Sequence, residues 1–338
     1  VIQTAPENTV RVDHVDGVPM MLIEPSATNL LEYSEDFSNA GWTKVFGVVV
    51  TPSSVDAPDG TTNAFKLSEL NLTDGDYGLS EFVNTSPSTS YTFSTYFKAA
   101  SDGDVGKKVR IRIRRNAGTS ISAANAVTLT SEWVRHSVTI NLLSDNTSCW
   151  FVVTKDTSSS IAEQADECLI WGAQVETGSV ATSYIPTTSG STATRASDDL
   201  VIDGSAFSDF YNDAEGTFYI EAVDRTPTIR SGYLSGQSSN QLFMYQNFGD
   251  DSIVMFDGAT SKNVANTPVN QLFRASSTYN TTEKQISLNG VDSSVGSHNG
   301  NWGLATELNV GQGPHSTYPA MNGYLKRVIY WPTHSSRM

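Results

Sequence analysis

From about Asn29 onward, apolar positions fall on every second residue or in short runs, and each run stops at Gly, Pro, Asn, Asp or Ser. That is the signature of β-strands separated by turns. "NAFKLSE", "YGLSEFVNT", "SYTFSTYFKAA", "KKVRIRIRR", "WVRHSVTINL", "SCWFVVTKD" and "ECLIWGAQVE" follow one another at spacings of roughly 10 to 20 residues. A second series begins after residue 200: "GTFYIEAVDRT", "GYLSGQ", "QLFMYQNF", "SIVMFDG", "KQISLNG", "ELNVGQG" and "MNGYLKRVIYWP". Asp59-Gly60 and Asn289-Gly290 are tight-turn signals. The helical spacing in "GSAFSDFYNDAEG" predicts one short helix, with Ser205 as its cap ahead of Phe207, Phe210 and Tyr211.

Between the two series lies a stretch dominated by Thr, Ser and Gly, which reads as a connector pinned at both ends. The expected organisation is an N-terminal extension over 1–28, with two small strands around Asp16-Gly17. A first β-body over 29–185, a linker over 186–200 and a second β-body over 201–338 follow. Many short strands with almost no helix make the fold class all-β, with two antiparallel β-sandwiches in tandem.

Composition narrows the function. The 338 residues can fill two cores. With 21 basic and 36 acidic side chains the net charge is −15, which repels phosphate backbones and argues against nucleic acid as a partner. No apolar run approaches the roughly 18 residues of a membrane span, so membrane insertion is not expected. Cys149 and Cys168 lie in strand-like segments and outside any Cys-x-x-Cys pair. They read as two buried thiols or as one disulfide between neighbouring strands. The chain opens at Val1 and stops at Met338, and reads as a piece of something larger.

"SATNLLEYSEDFSNAGWTK", "APDGTTNAFKLSE", "SYTFSTYFKA", "WVRHSVTI" and "IWGAQVETGSVATSYIPTTSGSTATRASD" occur in that order over about residues 24 to 200. Together they resemble a module of bacteriophage tail fibres and tail-tip proteins, similar to jelly-roll carbohydrate-binding modules. "EGTFYIEA", "KQISLNG", "LNVGQG" and "MNGYLKRVIYWP" resemble the concanavalin A-like, laminin-G-like lectin sandwich. The resemblance implies a virion component, extracellular when it acts, that binds a bacterial surface polysaccharide or lipopolysaccharide. It also implies contacts with other virion tail proteins and a homo-oligomer, a trimer in such fibres. No cofactor is required. A structural calcium between the first and last strands of the first body is implied for relatives, and here Glu32 and Glu167 are its candidate ligands; the alternative is surface carboxylates without an ion. Lys326 stands where laminin-G-like relatives often carry an acid.

The residues point to binding rather than catalysis. A glycoside hydrolase needs two carboxylates facing each other across the scissile bond. Glu221 and Asp224, three apart on a strand, point to opposite faces, as do the adjacent Asp166 and Glu167. The five histidines are scattered singly, and no nucleophile elbow, zinc or phosphate-loop pattern occurs. We therefore expect no enzyme activity. Sugar binding needs aromatic faces and planar polar groups, which the loops "HNGNWGLATE" and "GQGPHSTYPAMNG" supply through Asn301, Trp302, His315 and Tyr318. The competing reading has Trp302 and Tyr318 plugging the ends of the core. Trp42, Trp133, Trp150, Trp171 and Trp331 sit in or beside apolar strands and are expected in the core. In "KKVRIRIRR", Lys108, Arg110, Arg112 and Arg114 share one strand face. Those arginines suit an acidic glycan, or else form a solvated face, a protected edge or a subunit contact.

Overall fold

The computed structural model describes residues 9–45, 47–70, 78–115, 122–188, 190–226, 231–247, 250–314 and 318–335. The chain is all-β and antiparallel in its sheets, with a single five-residue α-helix among the described residues. It divides into two compact units: Ala27–Arg195 form the body of one, and Ala5–Ser26 join Ala196–Met338 in the other.

The first unit is a sandwich of two five-stranded sheets. One runs Ser122–Thr128, Lys108–Arg115, Ser148–Lys155, Leu79–Asn84, Thr43–Lys44; the other Val134–Asn141, Ser90–Lys98, Cys168–Thr177, Phe65–Ser68, Val49–Pro52. Alternation along each strand decides which side meets the partner sheet. Val109, Ile111 and Ile113 from one sheet and Phe93, Phe97 and Val138 from the other enter one apolar core. Cys149 and Cys168 are buried in that core as free thiols.

The sequence features that look most like a recognisable motif hold this unit together. Asn29 is fully buried and donates to the carbonyls of Ala173 and Ile185. Glu176, 1% exposed, accepts from the Thr182 backbone N–H, the Thr182 hydroxyl and the Gln174 amide. Trp171 donates to Asn63 at 2.8 Å, and the Tyr184 hydroxyl bonds Ser34. Buried polar groups are tolerable only when bonded in this way. The strand Cys168–Thr177 shifts register between Trp171 and Gln174 at Gly172. Gly172 has φ +62° with the Tyr96 and Tyr184 rings against it, so any side chain there is strained.

The second unit has an eight-stranded and a six-stranded sheet around a core that includes Phe218, Phe243, Phe273 and Tyr279. Here the boundaries differ from expectation. The extension is not separate: hairpin Val12–Val15/Val18–Ile23 forms as expected, then pairs Met21–Ile23 with Gly323–Leu325 of the last strand. A two-stranded hairpin cannot bury a face alone, and docking on that edge buries Met20 and Ile23. Arg11 bonds both Glu24, 1% exposed, and Asp198, closing the segment over the second unit. The linker is also partly structured, since Ala193–Arg195 pairs with Ala27–Asn29 inside the first unit. The short helix spans Gly204–Ser208 with Asp203 as its cap, so Ser205 falls inside it.

Candidate glycan-binding face

Strand Lys108–Arg115 alternates as expected, with Val109, Ile111 and Ile113 inward and Lys108, Arg110, Arg112 and Arg114 on the outer face. Register then sets what stands beside each arginine. Arg110 is level with Ala126 and Thr154, Arg112 with Ala124 and Val152, and Arg114 with Trp150. Across the next strand Trp150 is level with Phe82, and Val152 with Ser80. Paired residues share a face, so three rows cross the outside of the sheet.

The rows are not equivalent. Arg110 is committed: its guanidinium donates at 2.6 Å to Asp156, which is fully buried and also accepts from Ser158 and Ser159. Burial would raise the Asp156 carboxyl, but those hydroxyls and Arg110 outweigh it and hold it low. Arg110 therefore stabilises a buried carboxylate and is withdrawn from the glycan-contact set. In the middle row Ser80 and Val152 are fully buried. In the end row Phe82 is 40% exposed and Trp150 half-buried, with ring centroids 5.1 Å apart and an edge-on angle of 63°. One step further, Asn84 and Ser148 stand level on the same face. Two ring faces, an amide, a hydroxyl and a guanidinium thus converge at one end of the sheet.

Other sequence-predicted site residues are placed differently. Trp302 is fully buried; its indole N–H donates to the Phe256 carbonyl at 3.1 Å, and its ring packs on Phe243 and Tyr279. Gly300, at φ +78°, turns the chain into the 3-10 turn Asn301–Leu304 and drops the ring inward. Trp302 is core, and its ring is withdrawn from the glycan-contact set. The Asn301 side chain and all of His315 lie outside the described residues. Tyr318 is half-buried against Tyr245, with centroids 5.2 Å apart, at the wall of a cleft in the second unit. Trp42 and Trp171 are core as expected, whereas Trp133 is half-buried and Trp331 is 44% exposed.

Trp150 was expected in the core because "SCWFVVTK" is apolar on both faces, and alternation cannot orient such a strand. Phe82 is a lone ring between Glu81 and Val83, and only the strand register, which sets it level with Trp150, gives it meaning.

Glu32 and Glu167 do not meet. Glu167 pairs with Lys66 at 2.9 Å at one end of strand Cys168–Thr177. Glu32 sits in the segment that bonds Ala173 and Val175, on the order of 20 Å further along that strand. Among the described residues no three His, Cys, Asp or Glu side chains gather as a metal site. The calcium pairing suggested by the resemblance does not fit these residues. The other acids are engaged too. Glu221 bonds Lys326 at 2.9 Å, Asp224 accepts from Tyr233 inside the core, and Asp166 pairs with Lys155. Asp257, Lys284 and His298 form a buried cluster in the second unit, with Lys284 and Asp257 fully enclosed.

No protein-family model and no curated protein matches the chain. Among solved structures, the xylan-binding CBM22-1 domain of Paenibacillus barcinonensis Xyn10C matches with 17% identity and TM-score 0.34, covering 46% of this chain and 94% of that domain. Domains LG4-5 of the mouse laminin α1 chain match with 9% identity and TM-score 0.27, covering 96% of this chain and 93% of that one. The enzymatically active domain of bacteriophage CBA120 tailspike protein 4 matches with 14% identity and TM-score 0.30, covering 44% of this chain and 21% of that one. At such scores none of these likenesses carries an argument about ligand or chemistry.

Proposed function

We propose that this chain is a phage virion-surface protein, of a tail fibre or tail tip, that binds an acidic bacterial envelope glycan without cleaving it. The observation that carries the binding reading is the row Phe82–Trp150–Arg114 on the outer face of the sheet, with Phe82 40% exposed. Rings give a pyranose an apolar face to lie on, and a guanidinium meets a carboxylate in a two-pronged bond. The virion role rests on the ordered sequence likeness over residues 24 to 200, and the homotrimer on the same likeness. Several copies on one particle would multiply weak single sites.

The test incubates the purified chain with host cell envelopes and a panel of bacterial polysaccharides, following retention and newly released reducing ends together. Retention without release is expected, and Phe82→Ala with Trp150→Ala should lower it at least tenfold while the unfolding temperature of the first unit stays within a few degrees. Unchanged retention in that variant removes the face, and release of reducing ends removes the non-catalytic reading. A stable oligomer that binds no envelope fraction would favour a purely structural virion component.

A further inference from the structure

Two charged residues of the second unit fall at core-facing positions. Asp257 follows Ile253 and Met255 at two-residue steps, and Lys284 precedes Ile286 and Leu288 at the same steps. Alternation turns both toward the core, where those four apolar side chains lie. They come from opposite sheets: Asp257 directly follows strand Ile253–Phe256 of the six-stranded sheet, and Lys284 belongs to Glu283–Leu288 of the eight-stranded one. Both are fully buried, and Lys284 Nζ lies 2.5 Å from Asp257 Oδ2. The carboxyl carbon is one C–O bond further on, so Nζ is at most about 3.7 Å from it. Groups held at about 3–3.5 Å are near the geometry of attack.

The surrounding donors are divided between the two carboxyl oxygens. Oδ1 accepts from the Ala259 and Thr260 backbone N–H groups at 3.1 and 2.9 Å. Two fixed N–H groups on one oxygen stabilise the negative charge it gains when a nucleophile adds to the carbon. Oδ2, the oxygen that Lys284 touches, lies 3.2 Å from His298 Nδ1 and accepts from the Asn299 N–H at 3.1 Å. His298 is 8% exposed and packs on the Trp302 and Tyr279 rings. Burial pushes its imidazolium down against the pull of Asp257, which favours a neutral ring that can take up a proton and return it.

An amine, a carboxyl carbon, two donors on one oxygen and an imidazole on the other thus converge out of water. We infer that Lys284 and Asp257 condense into an amide, a covalent tie between the two sheets of the second unit. A proton passes from the ammonium to Oδ2, and the freed amine adds to Cγ while Oδ1 takes the charge. The surplus proton on nitrogen moves through His298 to Oδ2, the Cγ–Oδ2 bond breaks, and one water departs. An ammonium and a carboxylate become one amide and one water, a balance that needs no oxidant or cofactor. The amide replaces two buried charges with a neutral group, which removes the desolvation they suffer. The contacts that hold the pair also slow it. Burial raises the Asp257 carboxyl, but Lys284 and the Thr260 and Ala259 N–H groups outweigh it and hold it low, so reaction waits on the first proton transfer.

The test follows the intact mass of the full chain, held folded at neutral pH and sampled over days, beside a sample kept in denaturant. No ligand enters it, so its outcome is separate from that of the glycan face. The folded chain should become lighter by one water, and the denatured chain should not. Tryptic mapping should then recover the peptides of Asp257 and Lys284 joined, uncleaved after Lys284, by a link that resists hydroxylamine. Asp257 precedes Gly258, and an Asp-Gly pair can lose water by itself as a succinimide. That product leaves the two peptides separate and is opened by hydroxylamine; finding it in place of the joined peptides overturns the inference. A folded chain that keeps the full mass of its sequence overturns it too. His298→Gln should form the link at least tenfold more slowly, and an unchanged rate would remove His298 from the proton transfer. The link itself is decided on the native chain, whether or not that variant folds.

Discussion

Glu81 is a carboxyl placed where a charge is hard to keep. It is 6% exposed, its Oε1 accepts one long bond of 3.4 Å from the Glu32 N–H, and its Oε2 has no hydrogen-bond partner. Burial pushes it up to about 7 from an ordinary 4.5; the Glu32 N–H holds it back and the Glu32 carboxylate adds to the rise. Between those two values the folded chain holds a proton that the unfolded chain has released, so stability falls as pH rises. The advantage is complete below about 4.5 and is lost as pH passes through about 7. Over that interval the difference is on the order of 3 kcal/mol. Glu81→Gln keeps the shape and cannot ionise. The variant should match the native chain near pH 4.5 and exceed it in denaturant stability of the first unit by about 2–3 kcal/mol at pH 8. Parallel pH profiles for the two proteins would show that Glu81 titrates alike in the folded and unfolded chain, and would overturn the shift.

At the scale of elements, what could be read from the sequence was whatever repeats locally. The arginine strand alternates in sequence and in space because neighbouring Cβ atoms must take opposite sides. The same rule failed at Ser148–Lys155, where both faces are apolar and only the pairing of Trp150 with Phe82 and Arg114 shows which side is open. Trp302 misled for a related reason: a large ring among glycines says nothing about which way the turn drops it. The N-terminal hairpin was legible as a hairpin, but its partner strand lies some 300 residues away, and no local pattern reports such a pairing. That pairing makes a prediction. Deleting residues 1–23 bares the edge of Gly323–Trp331, removes Ile23 from the core, and leaves Glu24 without Arg11. Losing the partner of a buried charge alone costs about 3–5 kcal/mol. Scanning calorimetry should show the transition of the second unit fall by several degrees, with more aggregation through the bared edge. The first unit's transition should stay in place. Two unshifted transitions would mean that the hairpin contributes no stability.

At the scale of the whole molecule, charge sets two opposing terms for an acidic glycan. On the proposed reading, the net −15 would repel it from a distance while Arg114 would attract it at contact. Salt separates them because they act over different lengths. The screening length is about 30 Å at 0.01 M and about 8 Å at 0.15 M. At the lower value a polyanion feels most of the protein; at the higher it feels mainly the groups it touches. Retention of an acidic polysaccharide should therefore rise between 0.01 M and 0.15 M salt and fall again towards 1 M, where contact pairs are screened as well. The curve comes from one salt series on the native chain. A steady fall for the acidic polysaccharide from the lowest salt would mean that the arginines govern the approach and that the acidic surface lies beyond the ligand's reach. A flat curve for it would mean that the guanidinium groups take no part, leaving the Phe82–Trp150 rings to bind alone.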